Sequence, residues 1–552
     1  MKNKSKVTRL TFLKLGAVAV AGLSLAMLMG CFGEDKPSVL PRRPNFLIIL
    51  TDQERHHRHW PEGWTDKHIP TWSRLKKHGV TFTNAYSASS MCSPSRACLL
   101  TSEYSIVNGV PYLDHKVGMR GQDELPNIAS ILKQAGYDVV WKGKWHLSYP
   151  LGWQGGSPDS EIWTEADIGE FERKYGFAGW NPPDAGNTAF DSEDGEKTFG
   201  GGLANNDGRY VQGVTAGSSG QTPGFGESVV DYLAKVGATP PSERKPFCLF
   251  VSLVNPHDIA FYPEGWETGG YKLEDFAHVG IGLPLNYNDS LSTKPDIQCQ
   301  FKAAYDKESN WNDITDSLNY VNFYAYLHTV VDKHIKTVLD ALEANGLTED
   351  TVVIRTADHG EMGLSHGLRE KSYAAYEEII NIPLVISNPK LFPTPRETTA
   401  LYSHVDLLPT VAELAGIEPV GIGKSMLPVL RDPNASVQDS VLFAYDDEFV
   451  LTREDMVSHI RALRTARWTY AVYYVDDGSM FQYELYDNVH DSLQMNNLLY
   501  NPTDDIRPTW NDLHRQLTAK MKSTRATPQG FDWPETPKEP VWNCVAPCRN
   551  CP

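Results

Sequence analysis

Asn45 to Leu50 is a continuous apolar run of strand length, and it and two other strand-length stretches close on acid, amide or imidazole side chains. Asn45-Phe46-Leu47-Ile48-Ile49-Leu50 runs into Thr51-Asp52, and Phe247 to Val254 into Asn255-Pro256-His257-Asp258. Thr351 to Thr356 runs into Ala357-Asp358-His359-Gly360-Glu361. A strand that is apolar without alternation is buried on both faces, which requires a parallel sheet with helices on either side. Polar residues at the C-terminal edge of such a sheet stand where open α/β folds build their sites. Two further strands follow the same pattern. Val80 to Tyr86 leads to a turn at Cys92, and Tyr137 to Trp141 ends in Lys142-Gly143-Lys144-Trp145-His146. Helices are predicted over Ile69 to Gly79, Leu125 to Gly136 and Asn319 to Asn345, the first two ending in glycine and the third followed by Gly346. The fold class is therefore α/β, a large mixed but mostly parallel sheet flanked by helices.

Two regions break this pattern. Residues 151–242 accumulate Gly, Asp, Asn, Pro and Trp, as in Phe199-Gly200-Gly201-Gly202, and read as an irregular insertion that shapes a substrate pocket rather than the core. Beyond residue 430 the runs alternate. Ser440 to Tyr445, Ile460 to Leu463, Trp468 to Tyr474 and Met480 to Tyr486 are separated by short polar turns, which predicts a small antiparallel sheet followed by a helix over Pro508 to Met521. With 552 residues the chain is long enough for two domains. We place a catalytic domain at 44–430, with the insertion at 151–242, and a C-terminal α+β subdomain at 431–552.

The chemistry centres on Cys92-Ser93-Pro94-Ser95-Arg96-Ala97-Cys98-Leu99-Leu100-Thr101. Pro94 fixes a turn, Arg96 presents a rigid fork of donors to an anion, and Ala97 to Leu100 starts a helix whose N-terminus favours anions. A thiol placed there is expected to have a depressed pKa and to be reactive. An ordinary buried thiol beside a proline turn is the duller reading of the same residues. His56-His57-Arg58-His59 invites a metal reading, but on a polar loop these residues read as solvated or substrate-facing.

The Cys92 stretch resembles the signature of the formylglycine-dependent sulfatases of the alkaline-phosphatase superfamily, in which a Cys followed by x-Pro-Ser-Arg is oxidised to an aldehyde. Here Ser102 and Glu103 follow Thr101 where that signature continues Gly-Arg. The strand ends match other family positions. Asp52 and Gln53 resemble the first metal pair and Asp358 and His359 the second, in the forms seen in the choline-sulfatase-like and phosphonate-hydrolase-like branches. Lys144 and His146 in Gly-Lys-Trp-His-Leu, His257 in Asn-Pro-His, and Lys371 after Ser365-His366-Gly367-Leu368-Arg369-Glu370 also fall at family site positions. Ser403 to Thr410 and Glu484 to Asp487 match signatures further on.

The resemblance implies a divalent metal held by Asp52, Gln53, Cys92, Asp358 and His359. A hard ion wants oxygen ligands, so Ca2+ is expected, and the imidazole leaves Mn2+ open. It implies a nucleophile at Cys92, charge stabilisation by Arg96, Lys144 and Lys371, and proton transfer by His146 and His257. Three readings of the function remain: a sulfate monoester hydrolase, a phosphonate monoester or phosphodiester hydrolase using the same aldehyde, and a binding lipoprotein that has lost catalysis.

The first thirty residues read as an export signal, with a basic start followed by the apolar run Leu15 to Met29. Leu28-Met29-Gly30-Cys31 resembles a lipoprotein box, so Cys31 is expected to carry lipid and residues 31–43 to form a tether to a bacterial envelope membrane. With Cys31 lipidated and Cys92 oxidised, six cysteines remain of eight, an even number that permits disulfides in an exported protein without fixing their pairing. The tail Cys544-x3-Cys548-x2-Cys551 reads as disulfide-forming or frayed rather than metal-binding. The formal charge of −18 disfavours nucleic acid as a partner and repels anions at long range, so any anion site must be local. The expected partners are a sulfate ester, the enzyme that matures Cys92, and a membrane reached through the lipid.

Overall fold

The computed structural model describes residues 43–113, 118–151, 163–182, 184, 190–191, 197–198, 200–203, 206–213, 226–308, 314–446 and 457–542. The expected export signal, Cys31, most of the expected tether and the tail cysteines lie outside these residues. Among the described residues, no helix is long and apolar enough to cross a membrane.

Seven strands form the main sheet: β1 (Asn45–Asp52), β2 (Gly79–Phe82), β3 (Asp138–Gly143), β4 (Phe247–Pro256), β5 (Thr351–Ala357), β6 (Leu384–Ser387) and β7 (Arg396–Thr398). Their order is β7-β2-β6-β5-β1-β4-β3. Only β6 runs antiparallel to its neighbours; the remaining pairings are parallel. The alternation of side chains along each strand divides the interior in two. Phe46, Ile48 and Leu50 join one apolar cluster with Cys248, Phe250, Val352 and Ile354. Leu47 and Ile49 join the other with Leu249, Val251, Leu253 and Val353. This two-sided burial is why the runs carry no alternation.

Helices cover both faces. The first cluster includes apolar residues of helices α1 (Cys92–Thr101), α2 (Ile128–Gln134) and α3 (Glu165–Tyr175). The second includes residues of α4 (Val229–Ala238) and of the long α5 (Ile314–Ala344). Asn127 starts α2 through a capping box with Ser130. Farther along the chain, β8 (Ser440–Tyr445), β9 (His459–Thr465), β10 (Trp468–Tyr474) and β11 (Phe481–Asp487) form a separate antiparallel sheet in that order, and helix α6 (Arg507–Ser523) follows. Trp510, Leu513, Leu517 and Met521 of α6 share an apolar cluster with Tyr470, Val472 and Leu485 of that sheet.

Several local expectations are corrected. The strand read over Val80 to Tyr86 breaks into Gly79–Phe82 and Ala85–Tyr86, and the helix read up to Gly79 ends at Lys76. The insertion differs most. Its described residues carry α3, a short helix at Asn206–Gln212, and α4. Thr164 and Asp167 form a capping box that starts α3, and the αL residue Gly176 ends it. Trp163, Phe171, Tyr175, Phe177 and Trp180 pack into the same core as Trp141 and Trp145. The Phe171 ring lies 4.8 Å from Trp145 and 4.6 Å from Trp180. This part of the insertion is core, not only a pocket wall. Phe171→Ala is therefore expected to cost about 3–5 kcal/mol, read as a lower denaturant midpoint; an unchanged midpoint would show that the insertion folds independently of the sheet.

Candidate active site

The register of the sheet sets the first pair of acids. Thr51 of β1 pairs with Ala357 of β5, so Asp52 and Asp358 emerge side by side past two neighbouring parallel strands. On the other flank the β1–β4 register shifts between Leu50 and Asp52, a local irregularity of the kind that re-aims a side chain next to a site. Helix α1 begins at Cys92, not at Ala97 as expected, and Pro94 lies in its first turn rather than in a turn before it. This places Cys92 and Arg96 one helical turn apart on the same face. Ser95 ties the helix to the sheet. Its hydroxyl donates to the Asp358 carbonyl and lies 3.0 Å from His404 Nδ1, while His404 Nε2 lies 3.0 Å from the Ala357 carbonyl.

Arg96 spans both acids. Its Nη2 donates to Asp52 Oδ2 and its Nε to Asp358 Oδ2, each at 2.9 Å, and its Nη1 donates to Ser252 Oγ at 2.8 Å and the Lys144 carbonyl at 3.0 Å. Lys144 Nζ lies 2.7 Å from Asp52 Oδ2 and 3.7 Å from Cys92 Sγ. With their Oδ2 atoms engaged, both carboxylates direct Oδ1 toward His359 Nε2, at 3.8 Å from Asp52 and 3.7 Å from Asp358. Cys92 Sγ lies 3.4 Å from Asp52 Oδ1 and 3.4 Å from His359 Nε2. One ligand-type atom from each of Asp52, Cys92, Asp358 and His359 falls within 4.8 Å of the others, and all four residues are buried.

This set fits a divalent cation. Ligands at about 2.3–2.6 Å from a Ca2+ ion stand no more than about 5 Å apart, the separation found here. His359 Nδ1 faces the Gly360 carbonyl at 2.9 Å, which places the proton on Nδ1 and turns the Nε2 lone pair inward. Burial lowers the pKa of His359 despite both acids, so the imidazole is neutral and ready to ligate. Burial raises that of Asp358, and the charge of Asp52 adds to the effect. Burial acts on Asp52 in the same sense, but the charges of Lys144 and Arg96 outweigh it and hold its carboxyl well below the usual range. A cation held by these residues would relieve the repulsion between the two acids.

The thiol expectation is overturned. Burial and the Asp52 charge push Cys92 up to about 12, against the opposing pull of Lys144 and Lys371. The helix N-terminus does not prevail, because the sulfur is fully buried and faces a carboxylate. Lys371 is pushed above its ordinary range; burial opposes this, and Glu370, Cys92 and Asp52 overcome it. Its Nζ donates to Gln53 Oε1 at 2.6 Å. His257 is 2% exposed, its Nδ1 has no hydrogen-bond partner among the described residues, and burial, Lys144 and Lys371 hold it neutral. His146 is half-buried with φ at +58° and influences His257 electrostatically.

In the His56–His59 segment the first two histidines are folded inward rather than solvated, while Arg58 stays exposed and His59 partly so. His57 Nε2 binds Glu54 Oε1 at 2.7 Å, Arg58 Nε donates to Asn381 Oδ1 at 2.6 Å, and His56 and His57 are each 8% exposed. Ser102 and Glu103 stand at the far end of α1, about 15 Å along the axis from Cys92. There the Ser102 hydroxyl donates to the Val405 carbonyl and accepts from Gly423 N, and Glu103 pairs with Arg525. Cys299 is disulfide-bonded, whereas Cys92, Cys98 and Cys248 are free thiols.

Sequence reasoning missed the residues that hold the two histidine turns. Asp184 accepts from Trp145 N and His146 N, each at 2.8 Å, and Asn181 Oδ1 accepts from Gly143 N at 3.0 Å. Asp207 accepts from Val254 N and Asn255 N, at 2.7 and 2.9 Å, just before His257. Asp258 accepts from Gly201 N and Gly202 N, at 2.9 and 2.8 Å. A Cβ at Gly200 or Gly201 would collide with Asp258 or Asn255, which explains the glycine run. Asp184→Ala should lower kcat about 100-fold by loosening the Lys144–His146 turn; steady-state kinetics at unchanged thermal midpoint would show it, and unaltered kcat would refute the role.

Comparison with known proteins gives a consistent picture. A family model described as Sulfatase matches residues 44–417, and one described as N-sulphoglucosamine sulphohydrolase, C-terminal, matches residues 364–526. An ulvan-active sulfatase of Formosa agariphila is 28% identical over 490 residues, covering 87% of this chain and 81% of that protein. An endo-4-O-sulfatase of Bacteroides thetaiotaomicron is 26% identical, covering 91% of this chain and 96% of that one. Among solved structures, a phosphonate monoester hydrolase of Agrobacterium radiobacter superposes with a TM-score of 0.63 at 18% identity, covering 87% of this chain and 96% of that one.

Proposed function

The chain belongs to the sulfatase family, and from that premise we propose that it is an exported hydrolase of sulfate monoesters with Cys92, oxidised to formylglycine, as its nucleophile. The observation that carries this is the convergence on Cys92 of two aspartates, a neutral imidazole and two buried lysines. An ordinary buried thiol does not need them. Because Cys92 is 0% exposed, the maturing enzyme must act on it before the chain has folded.

Asp52, Asp358 and His359, joined by residue 92 and the Gln53 amide, would hold the cation. When bound, Ca2+ or Mn2+ would polarise a sulfate oxygen and acidify a hydroxyl. The formyl group, hydrated, offers two hydroxyls, one to displace the alcohol from sulfur and one whose deprotonation expels sulfate. Lys144 and Lys371 supply fixed positive charge to the sulfate oxygens, and Arg96 holds the two acids in place. In this reading His257 donates a proton to the departing alcohol, and His146 takes one from the attacking hydroxyl. His257 is neutral in the free site, so an arriving sulfate would raise its basicity and ready it to carry that proton.

The relatives named for ulvan and for 4-O-sulfate favour a sulfated saccharide as the substrate class. The basic N-terminus and the Leu28 to Cys31 box support export and a lipid anchor at the bacterial envelope. The Gln53 and His359 pairs favour a second reading, a phosphonate monoester hydrolase.

Rates on an aryl sulfate and on an aryl phosphonate ester, measured in parallel, separate the two. We expect the sulfate to be preferred; a preference for the phosphonate would overturn the first reading. Cys92→Ala should keep sulfate-ester binding by calorimetry while turnover falls by roughly 10⁴-fold or more. Cys92→Ser should complete at most one turnover, because a serine sulfate lacks the second hydroxyl.

A further inference from the structure

Gln53 does not hold itself in place. Its backbone has φ at +65°, a left-handed conformation that costs a side-chain-bearing residue energy. That backbone is held by Tyr324, whose hydroxyl donates to the Gln53 carbonyl at 2.6 Å, and by Asp358 Oδ1, which accepts from Gln53 N at 3.1 Å. The side-chain amide is fixed from elsewhere. Glu361 Oε2 accepts from Gln53 Nε2 at 2.6 Å, and Glu370 Oε2 accepts from the same nitrogen at 3.2 Å.

An amide presents an acceptor at one corner and two N–H donors at the other. Two carboxylate oxygens against one corner admit only the donors there. The Gln53 oxygen must therefore face the other way, where it meets Lys371 Nζ. Glu361 cannot rotate to release it. Its Oε1 accepts from Tyr320 OH at 2.7 Å, Glu370 N at 2.9 Å and Gly363 N at 3.0 Å, and the residue is fully buried.

From this geometry, and resting on the metal-dependent reading above, we propose that Glu361 is a positioning residue. It orients the Gln53 amide so that its oxygen, not its nitrogen, is offered to Lys371 and to the cation. No hydrogen bond of Glu361 reaches Cys92, Asp52 or His359; it acts through Gln53.

The isosteric variant Glu361→Gln tests this. Three donors hold the new amide's oxygen at the Oε1 position, so its NH2 turns toward Gln53 and removes one of the two acceptors that fix the Gln53 amide. Binding of Ca2+ and of Mn2+ to the chelator-treated full chain, read by calorimetry, is expected to weaken about 10–100-fold. Tyr320→Phe is the control, because it removes a donor from the other oxygen of Glu361 and leaves the carboxylate facing Gln53. It is expected to keep the affinity of the unsubstituted protein. Equal weakening in both variants would mean that Glu361 only packs, and undiminished affinity in Glu361→Gln would overturn the proposal while leaving the metal-dependent reading intact. Failure of the unsubstituted protein to bind either ion would overturn both.

Discussion

The guanidinium of Arg96, fully buried between Asp52 and Asp358, is the interaction on which the rest of the site depends. Two carboxylates brought together by adjacent parallel strands repel each other in a low-dielectric interior, and neither is stable there alone. A planar fork bonds one oxygen of each with defined geometry, which a lysine cannot do. Removing one partner from such a buried set costs about 3–5 kcal/mol, because the remaining charges are left unpaired. The arrangement also decides the chemistry. Once Oδ2 of each acid is committed to Arg96, the two Oδ1 atoms face His359 Nε2, that of Asp358 also accepting from Gln53 N and His359 N, and helix α1 delivers Cys92 to the same point.

The frame of this centre was legible in the sequence because it rests on local patterns. Largely apolar, strand-length stretches announce strands buried on both faces, and Asp52, Lys144, His257 and Asp358 stand at the ends of four of them. The motif around Cys92 placed the remaining member, Arg96. What was not legible depends on contacts distant in sequence. His57 is buried because Glu54 beside it is also held by Arg355, three hundred residues away. The raised pKa of Cys92 comes from full burial against Asp52, not from its place at a helix start. The burial of the insertion's aromatics was hidden by its glycine-rich and proline-rich composition, although Thr164 and Asp167 carry a capping signal in plain view.

The insertion joins these two levels. Its aromatic residues share the core beneath β3, and its polar residues clamp the turns that carry His146 and His257. Asp184 holds the backbone on one side, and Asp207 with the Gly200–Gly202 run holds it on the other. A segment that reads as an irregular pocket-shaping insertion is thereby coupled to the rigid sheet. Both histidine turns gain a fixed reference outside their own strands. Ser102 and Glu103 have packing partners of their own far from Cys92, which supplies a structural reason for their departure from the usual signature.

The central claim is that Cys92 is a precursor rather than a thiol at work, and the mass of the peptide containing it tests this most directly. In active enzyme purified from a host that matures such cysteines, the account predicts a peptide lighter than the thiol form, since sulfur and two hydrogens give way to one oxygen. That peptide should also react with aldehyde reagents. An unmodified Cys92 in fully active enzyme would contradict the account.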